Sequence, residues 1–363
     1  MRGVAAMTLD ELLLDVEGGW LEGGGPEPDF AVSSRIRLAR NVEGVPFPHA
    51  LDRAGAERVL AMAQDAAQEL ERLGHFGAMQ LFPLRDVSAL DRQVLVERHL
   101  ISPQHARGRG GAVILSRDGC LSIMVNEEDH LRIQCLYPGL QLDEAWTMAD
   151  RIDDLVEEKI RYAFHERFGY LTACPTNAGT GLRASVMMHL PALVSTGKAG
   201  SVVAAMNKVG VNVRGFYGEG TEAAGNMFQI SNQVALGQSE AEVIGNLKAM
   251  SGQIIDYERE ARQGLLRDAR PAVEDRVFRA FGILGNARAL PSEEAMRLLS
   301  DVRLGVDLGI LGGVRRQALN RLLVVIRPAV LQKLSGEELS SAERDQRRAA
   351  LVREAVHGGG AGE

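Results

Sequence analysis

One short segment of this 363-residue chain combines residue types that could do chemistry. It runs from Cys174 to Ala184 and contains a thiol, a proline, the turn Gly179-Thr180-Gly181 and the arginine Arg183. The proline interrupts regular strand structure and the glycines let the backbone bend. Such a segment can place a thiol and a cation at the mouth of a site.

Arginines also occur in three further motifs, which are Ser33–Arg37, Asn126–Arg132 and Arg214–Glu219. A guanidinium is permanently charged and presents a fork of donors that fits phosphate oxygens. The sequence contains neither a phosphate-binding Gly-x-x-x-x-Gly-Lys loop nor a protein-kinase glycine loop with a His-Arg-Asp motif. If ATP binds, we therefore expect arginine side chains to hold its phosphates. The candidates are Arg35, Arg37, Arg132, Arg183 and Arg214.

Taken together and in this order, the four motifs resemble the phosphagen (guanidino) kinase family, the creatine and arginine kinases. The resemblance is strongest to the bacterial protein-arginine kinase branch, and it covers about residues 29–260. It implies ATP as the phosphoryl donor. Because no dedicated acidic metal cluster is evident, we expect Mg²⁺ to arrive on the nucleotide, held by phosphates and water.

The resemblance also implies which residues contact the nucleotide. His99 matches the family's histidine more loosely than the other positions match, and a histidine among apolar residues could simply be packed. The implied positions are Ser33, Ser34, Arg35, Ile36, Arg37, His99, Arg132, Arg183, Ala184, Ser185, Val186, Met187, Arg214, Gly215, Phe216, Tyr217, Gly218 and Glu219.

Phosphorylation of a guanidinium needs help from carboxylates. The group is protonated and its lone pairs are delocalised, so one nitrogen must be aimed at the γ-phosphate and must lose a proton. By resemblance, Glu128 and Glu219 are the catalytic pair. Glu127 and Asp129 are local alternatives within the same motif.

Cys174 matches the reactive cysteine of the family. A thiol near several arginines is expected to be partly thiolate, and it could position the guanidinium without forming a covalent intermediate. Whether it takes direct part in the chemistry stays open, since a free cysteine is often a small buried hydrophobe. Cys120 and Cys135 lie in strand-like patterns and are predicted to be structural.

Three features depart from the small-guanidine kinases. Only 32 residues precede Ser33, so the helical domain that closes over small substrates is expected to be missing. Met187 and Gln229 stand where those enzymes have histidine and aspartate. The missing domain leaves a more open site and favours protein arginines as the substrate. Met187 and Gln229 put the family's usual adenosine contacts in doubt, but they fit the bacterial branch. A kinase of free arginine or another small guanidine, and a non-enzymatic phosphoarginine-binding adaptor, are the alternatives.

A charged hexapeptide near the C-terminus resembles the phosphoarginine-binding motif of the same bacterial branch. On a helix, Arg344 and Arg348 would face the same way, and Asp345 and Arg348 would be i,i+3 neighbours. An aspartate can bind a guanidinium while arginines bind its phosphoryl group. An ordinary charged helix face is the alternative. The hexapeptide consists of Arg344, Asp345, Gln346, Arg347, Arg348 and Ala349.

Composition excludes several classes of protein. A net charge of −7 argues against a general nucleic-acid surface. No apolar run is long enough to span a bilayer, and Met1–Leu14 lacks the pattern of a signal peptide. Three cysteines without metal-like spacing fit a reducing cytoplasm. The resemblance further implies a homodimer, an activating zinc-binding partner protein, and stress-linked marking of proteins for a Clp protease.

Periodicity predicts an α+β domain over residues 1–265 and an all-helical domain over 266–363. The resemblance implies that the first is the catalytic domain, with an antiparallel sheet flanked by helices. Capping boxes at Ser239 and Ser340 are predicted to open helices. We also expect a long helix over 143–167 and helix through much of 186–208. The predicted strands include 30–37, 113–116, 120–125, 130–136, 171–174, 211–216 and 227–231.

Overall fold

The computed structural model describes residues 8–73, 77–108, 110–215 and 223–358. Within them the chain forms one large antiparallel sheet, a small hairpin and a set of helices that dominates after residue 240. The predicted α+β architecture with a helical C-terminal region is therefore confirmed. None of the helices in these ranges is long and apolar enough to cross a membrane.

Eight strands form the large sheet in the order β2-β3-β4-β5-β1-β8-β10-β9, and every neighbouring pair is antiparallel. Two further strands, β6 and β7, form the hairpin. In chain order the strands are β1 (Ala31–Arg40), β2 (Met79–Pro83), β3 (Ala112–Ser116), β4 (Leu121–Val125), β5 (Leu131–Pro138), β6 (Phe164–His165), β7 (Gly169–Tyr170), β8 (Leu182–His189), β9 (Val211–Gly215) and β10 (Met227–Asn232).

Helices precede, interrupt and follow the sheet. They are α1 (Leu9–Leu14), α2 (Arg53–Leu73), α3 (Ala89–Glu97), α4 (Pro103–Arg107), α5 (Leu142–Glu157), α6 (Pro191–Ser195), α7 (Ala199–Lys208), α8 (Glu240–Asp268), α9 (Arg270–Asn286), α10 (Ser292–Asp307), α11 (Arg316–Val325), α12 (Pro328–Ser335) and α13 (Ser341–His357). The predicted capping boxes open α8 and α13, as expected.

Two hydrophobic cores lie against the sheet. The first joins one sheet face to α2, α5 and α8, and it includes Ile36 and Leu38 of β1. The second joins the N-terminal segment, α3 and helices α9 to α13 to Leu136 and Met187. Side chains alternate along a strand, so Arg35 and Arg37 lie on the face opposite Ile36. The fold thus leaves part of one sheet face to polar side chains.

A buried group of charges joins the helical region to the start of β1. Asp307, at the end of α10, lies 3.0 Å from Arg316, 3.6 Å from Arg262 and 3.8 Å from Arg303. Arg316 also pairs with Asp29, two residues before β1. We call these five residues the Asp307 cluster. It connects α8, α10 and α11 to the strand that carries Arg35 and Arg37.

Three predicted elements were wrong. The helix expected over 143–167 is present but ends at Glu157. The prediction was too long because Ile160 is buried although it lies beyond the helix, and it continues the apolar spacing. Residues 171–174 form an irregular segment, in which Ala173 donates to Asp129. The helix expected over 186–208 is strand β8 as far as His189, followed by the short helices α6 and α7. A run of apolar residues does not by itself distinguish strand from helix.

Candidate active site

Strand register places the predicted arginines on one face of the sheet. Arg37 of β1 lies opposite Arg183 of β8, and Ala39 lies opposite Arg132 of β5. On the far side, Gln229 of β10 pairs with Arg214 of β9. Residues that pair directly in an antiparallel sheet point to the same side. Arginines from all four motifs, far apart in the sequence, therefore meet on this face, which we call the arginine face.

The arginines lie close enough to repel one another. The pKa of Arg37 lies well below its usual value, mainly because the side chain is buried. The positive charges of Arg35, Arg132 and Arg183 lower it further. Burial, followed by Arg214 and Arg132, also lowers the pKa of Arg183. The buried Nε atoms of Arg37 and Arg183 have no hydrogen-bond partner among the residues that the structure describes. Concentrated positive charge with unused donors fits a polyanion such as a nucleotide triphosphate.

Arg132 is held by two adjacent carboxylates. Its Nη1 lies 2.8 Å from Glu127 Oε2, and its Nη2 lies 2.9 Å from Glu128 Oε2. The two glutamates differ in exposure: the Glu127 side chain is 2% exposed, whereas that of Glu128 is 34% exposed. Glu127 also accepts a hydrogen bond from Ser102 Oγ at 2.5 Å. Of the pair, Glu128 is the carboxylate that remains accessible.

Asp129 is fully buried and holds the surrounding backbone in place. Its Oδ1 accepts from Asn41 Nδ2 at 2.6 Å and from Ala173 N at 2.7 Å. These bonds join the Glu128 turn to the segment that leads into Cys174. Glu127 and Asp129, the two local alternatives, are therefore both too deeply buried to offer a ligand an accessible carboxylate.

A cavity of about 80 Å³ lies between the arginine face and residues 174–181, which we call the Cys174 loop. Glu128, Arg132, Arg37 and Arg183 line it together with Cys174. The Cys174 Sγ lies 3.0 Å from Thr176 Oγ1. The structure thus brings the candidate carboxylate, the candidate thiol and three of the predicted phosphate-binding arginines to one place. Cys135, by contrast, is buried and pairs with Ile36 on the opposite face.

Arg40 fixes the Cys174 loop, and sequence reasoning missed it. It is buried, pairs with Asp153 of α5 at 2.6 Å and donates to Thr180 O at 2.9 Å. Its guanidinium also lies over the Tyr170 ring, 3.6 Å from the centroid. A side chain at Gly181, where φ is +68°, would meet Arg40 Nη1 at 2.4 Å. The sequence did offer a signal, because Arg40 lies in the same strand as Arg35 and Arg37.

A second cavity on the same face contains the loosely matched His99. It is lined by Ser33, Arg35, His99, Leu136, Ser185, Met187 and Gln229. His99 adopts a left-handed backbone, with φ of +63°, and its ring contacts Trp20 at 5.8 Å between centroids. Burial, then the charges of Arg35 and Arg327, lowers the His99 pKa to about 3, so its imidazole is neutral. The two departures, Met187 and Gln229, therefore meet at this cavity.

Other predicted nucleotide positions face the opposite side. Ile36, Ala184 and Val186 are fully buried in the first core. Ser34 Oγ donates to Gly139 O at 2.8 Å. Their side chains pack between β1, β8 and the first core. Along these two strands, a ligand on the arginine face can therefore contact only the side chains that alternate with them. Gly215 ends β9 beside Arg214. Phe216, Tyr217, Gly218 and Glu219 lie outside the residues that the structure describes.

The C-terminal motif lies in the first half of α13, and its three arginines differ in burial. Arg348 is 2% exposed and donates to Ile326 O at 2.9 Å and Leu290 O at 2.8 Å. It also pairs with Asp345, the predicted i,i+3 neighbour. Arg344 donates to Leu339 O at 2.9 Å. Gln346 and Arg347 are exposed, whereas Ala349 is buried. The carboxylate expected to bind a ligand guanidinium thus binds Arg348 here.

The described ranges contain no group of three or more His, Cys, Asp or Glu side chains that could hold a metal.

Two family models match consecutive parts of the chain. The first, the ATP:guanido phosphotransferase C-terminal catalytic domain, matches residues 61–261. The second, the protein-arginine kinase McsB C-terminal domain, matches residues 270–360. Solved structures agree: the chain resembles lombricine kinase with a TM-score of 0.57 and 25% identity, over 71% of this chain and 72% of that one. The duplicated taurocyamine kinase of Schistosoma mansoni matches with a TM-score of 0.58 and 27% identity, over 68% of this chain and 35% of that one.

Curated relatives match almost the entire chain. The protein-arginine kinase of Symbiobacterium thermophilum is 54% identical over 96% of this chain and 99% of its own. That of Bacillus subtilis is 48% identical over 97% of this chain and 96% of its own. Family models, relatives and the arginine face lead to the same conclusion: the chain belongs to the protein-arginine kinases, a branch of the ATP:guanido phosphotransferases.

Proposed function

We propose that this protein transfers the γ-phosphoryl group of ATP to arginine side chains of proteins. The observation that carries the proposal is the cavity in which Glu128 and Cys174 meet Arg37, Arg132 and Arg183. Phosphoryl transfer depends mainly on alignment and on neutralising charge, and this cavity offers both.

The arginines are assigned to the nucleotide. Arg37, Arg132 and Arg183 bind the phosphates, with Arg35 and Arg214 beside them on the same face. The Nε donors of Arg37 and Arg183, which find no acceptor within the described ranges, support this assignment. The neighbouring cavity with His99, Met187 and Gln229 takes the adenosine end. Mg²⁺ comes bound to the nucleotide, where it neutralises charge on the phosphates.

The chemistry is assigned to carboxylates. Glu128 orients the target guanidinium and accepts a proton from the attacking nitrogen as the N–P bond forms and the bond to ADP breaks. Its exposure and its contact with Arg132 support this role. Glu219 is the proposed second carboxylate. Cys174 positions the guanidinium from the other side of the cavity without covalent attachment.

We assign the Arg344–Ala349 motif to binding phosphoarginine as a regulator. The structure adds a requirement, because a ligand guanidinium must displace Arg348 from Asp345. Arg348 also donates to Ile326 O, two residues before α12 begins. At the same helix, Ala329 N and Val330 N each donate to Glu97 at 2.9 Å, two residues before His99. A change at Arg348 can therefore reach the nucleotide cavity through α12.

The wider setting belongs to the same proposal. The catalytic domain ends near residue 265 and a regulatory domain follows. The protein acts in the cytoplasm as a homodimer, is activated by a zinc-binding partner, and marks proteins for a Clp protease under stress. These proposals rest on family resemblance.

A competition assay tests the proposed substrate. The protein is incubated with ATP, a folded arginine-containing protein and an excess of free arginine, quenched at neutral pH and analysed by mass spectrometry. We expect phosphorylation of protein arginines and almost none of free arginine. Efficient conversion of free arginine would instead establish a small-guanidine kinase. Binding of phosphoarginine proteins without any turnover would establish an adaptor.

A further inference from the structure

Exposed apolar side chains are concentrated beside the Cys174 loop. Across the described ranges, ten large hydrophobic side chains are exposed, and four of them lie in the two segments that contact this loop. Phe164 is 59% exposed, Phe168 45%, Val234 47% and Leu236 50%. Single exposed apolar residues are ordinary, but a group beside a cavity indicates a contact surface.

Phe164 and Phe168 belong to the hairpin that borders one side of the loop. Gly179, within the loop, forms bridges with Gly169 and Tyr170 of this hairpin, and Tyr170 N donates to Gly179 O at 2.8 Å. Phe164 packs edge-on against Tyr170, with 5.3 Å between the ring centroids. The hairpin is therefore attached directly to the segment that lines the catalytic cavity.

Val234 and Leu236 border the loop through the segment that follows β10. A side chain at Gly179 would lie 2.9 Å from the Leu236 Cα, so the two backbones are in close contact. Asn232 Nδ2 donates to Val234 O and to Leu182 O, both at 3.2 Å, which fixes this segment to β8. Apolar side chains thus stand on both segments that contact the Cys174 loop.

We propose that Phe164, Phe168, Val234 and Leu236 form a docking surface for apolar residues that flank the target arginine in a protein substrate. This inference rests on the proposed function. A target arginine reaches Glu128 only when the chain that carries it crosses the mouth of the cavity. Residues on either side of that arginine then lie beside the Cys174 loop. Apolar flanking residues would bury both surfaces from water.

Two peptides test the surface. Both carry one central arginine, flanked by leucine and phenylalanine in one and by serine and glycine in the other. We expect the wild-type protein to phosphorylate the apolar peptide with a kcat/KM about tenfold higher, mainly through a lower KM. Phe164→Ser with Phe168→Ser, and separately Val234→Ser with Leu236→Ser, should bring the ratio close to one. The KM for ATP should stay unchanged.

Phe278→Ser is the matched control, because Phe278 is 51% exposed but lies on α9. It should keep the wild-type ratio. Equal use of both peptides by the wild-type protein would overturn the docking surface while leaving the kinase function intact. Failure to phosphorylate either peptide would count against the proposed function itself. If the double variants kept the ratio but changed the molecular mass in solution, the surface would be a contact between copies of the chain.

Discussion

Glu128 differs from its acidic neighbours in what its carboxylate can reach. Glu127 and Asp129 are buried and occupied by Arg132, Ser102, Asn41 and Ala173. Sequence alone could not separate the three acids, because adjacent residues in a turn can point in any direction. The separation depends on hydrogen bonds to residues that are distant along the chain.

Replacing Glu128 and Glu127 should therefore have different effects. Glu128→Gln is expected to lower kcat by about 100-fold or more, with ATP affinity nearly unchanged, because the proton acceptor is lost. Glu127→Gln should mainly weaken ATP binding, because Arg132 loses a buried charged partner. Steady-state kinetics with calorimetric titration of ATP separate the two outcomes. Glu128→Gln with near-wild-type kcat would remove that residue from the chemistry.

Arg183 should destabilise the free protein but strengthen the binding of ATP. Removing it relieves repulsion with Arg37, Arg132 and Arg214. We expect Arg183→Ala to leave the Tm of the free protein unchanged or higher, while ATP affinity falls about tenfold or more. Thermal unfolding with and without ATP measures both quantities. An unchanged ATP-induced rise in Tm would refute the phosphate assignment.

At the scale of elements, the positions of strands could be predicted from the sequence better than the pairing between them. The predicted strands 113–116 and 120–125 flank Arg117-Asp118-Gly119, a turn sequence typical of hairpins, and β3 and β4 pair as a hairpin in the structure. The alternation in β1 separates Arg35 and Arg37 from Ile36. The pairing of Arg37 with Arg183 joins residues 146 positions apart, and no local pattern specifies it. The bonds of α12 to Glu97, and of Arg348 to Ile326 just before α12, are equally non-local.

Helix α12 offers a test of whether the C-terminal motif communicates with the cavity that contains His99. Glu97→Gln weakens the cap on α12 but retains an oxygen acceptor, so the loss of stability should stay near 1 kcal/mol. We expect a higher KM for ATP and a smaller response to added phosphoarginine. Glu242→Gln, in the exposed cap of α8, is the control and should change neither. An unchanged phosphoarginine response in Glu97→Gln would exclude this route.

At the scale of the whole molecule, the helical region and the sheet share buried structure. The second core contains residues from both, and the Asp307 cluster joins them through charge. The all-helical character of the C-terminal region followed from its sequence. The ion cluster did not, because Asp29, Arg262, Arg303, Asp307 and Arg316 come from distant segments with no common motif.

Asp307→Asn should show how strongly this cluster stabilises the molecule. The Asp307 side chain is fully buried, and its removal leaves three arginines without their shared counter-charge. We expect the free energy of unfolding to fall by about 3–5 kcal/mol. Glu274→Gln breaks the exposed pair with Arg270 and should cost less than about 1 kcal/mol. Equal losses in urea titrations of the two variants would contradict this account.

The central claim is that the arginine face and Glu128 transfer a phosphoryl group from ATP to a guanidino nitrogen. Phosphorus NMR at neutral pH, with ATP, Mg²⁺ and an arginine-containing protein, tests it most directly. We predict that ADP and a phosphoramidate signal appear in equal amounts, that acid removes the phosphoramidate, and that Glu128→Gln produces neither. ADP with free phosphate alone, or an acid-stable phosphoester on the protein, would contradict the claim.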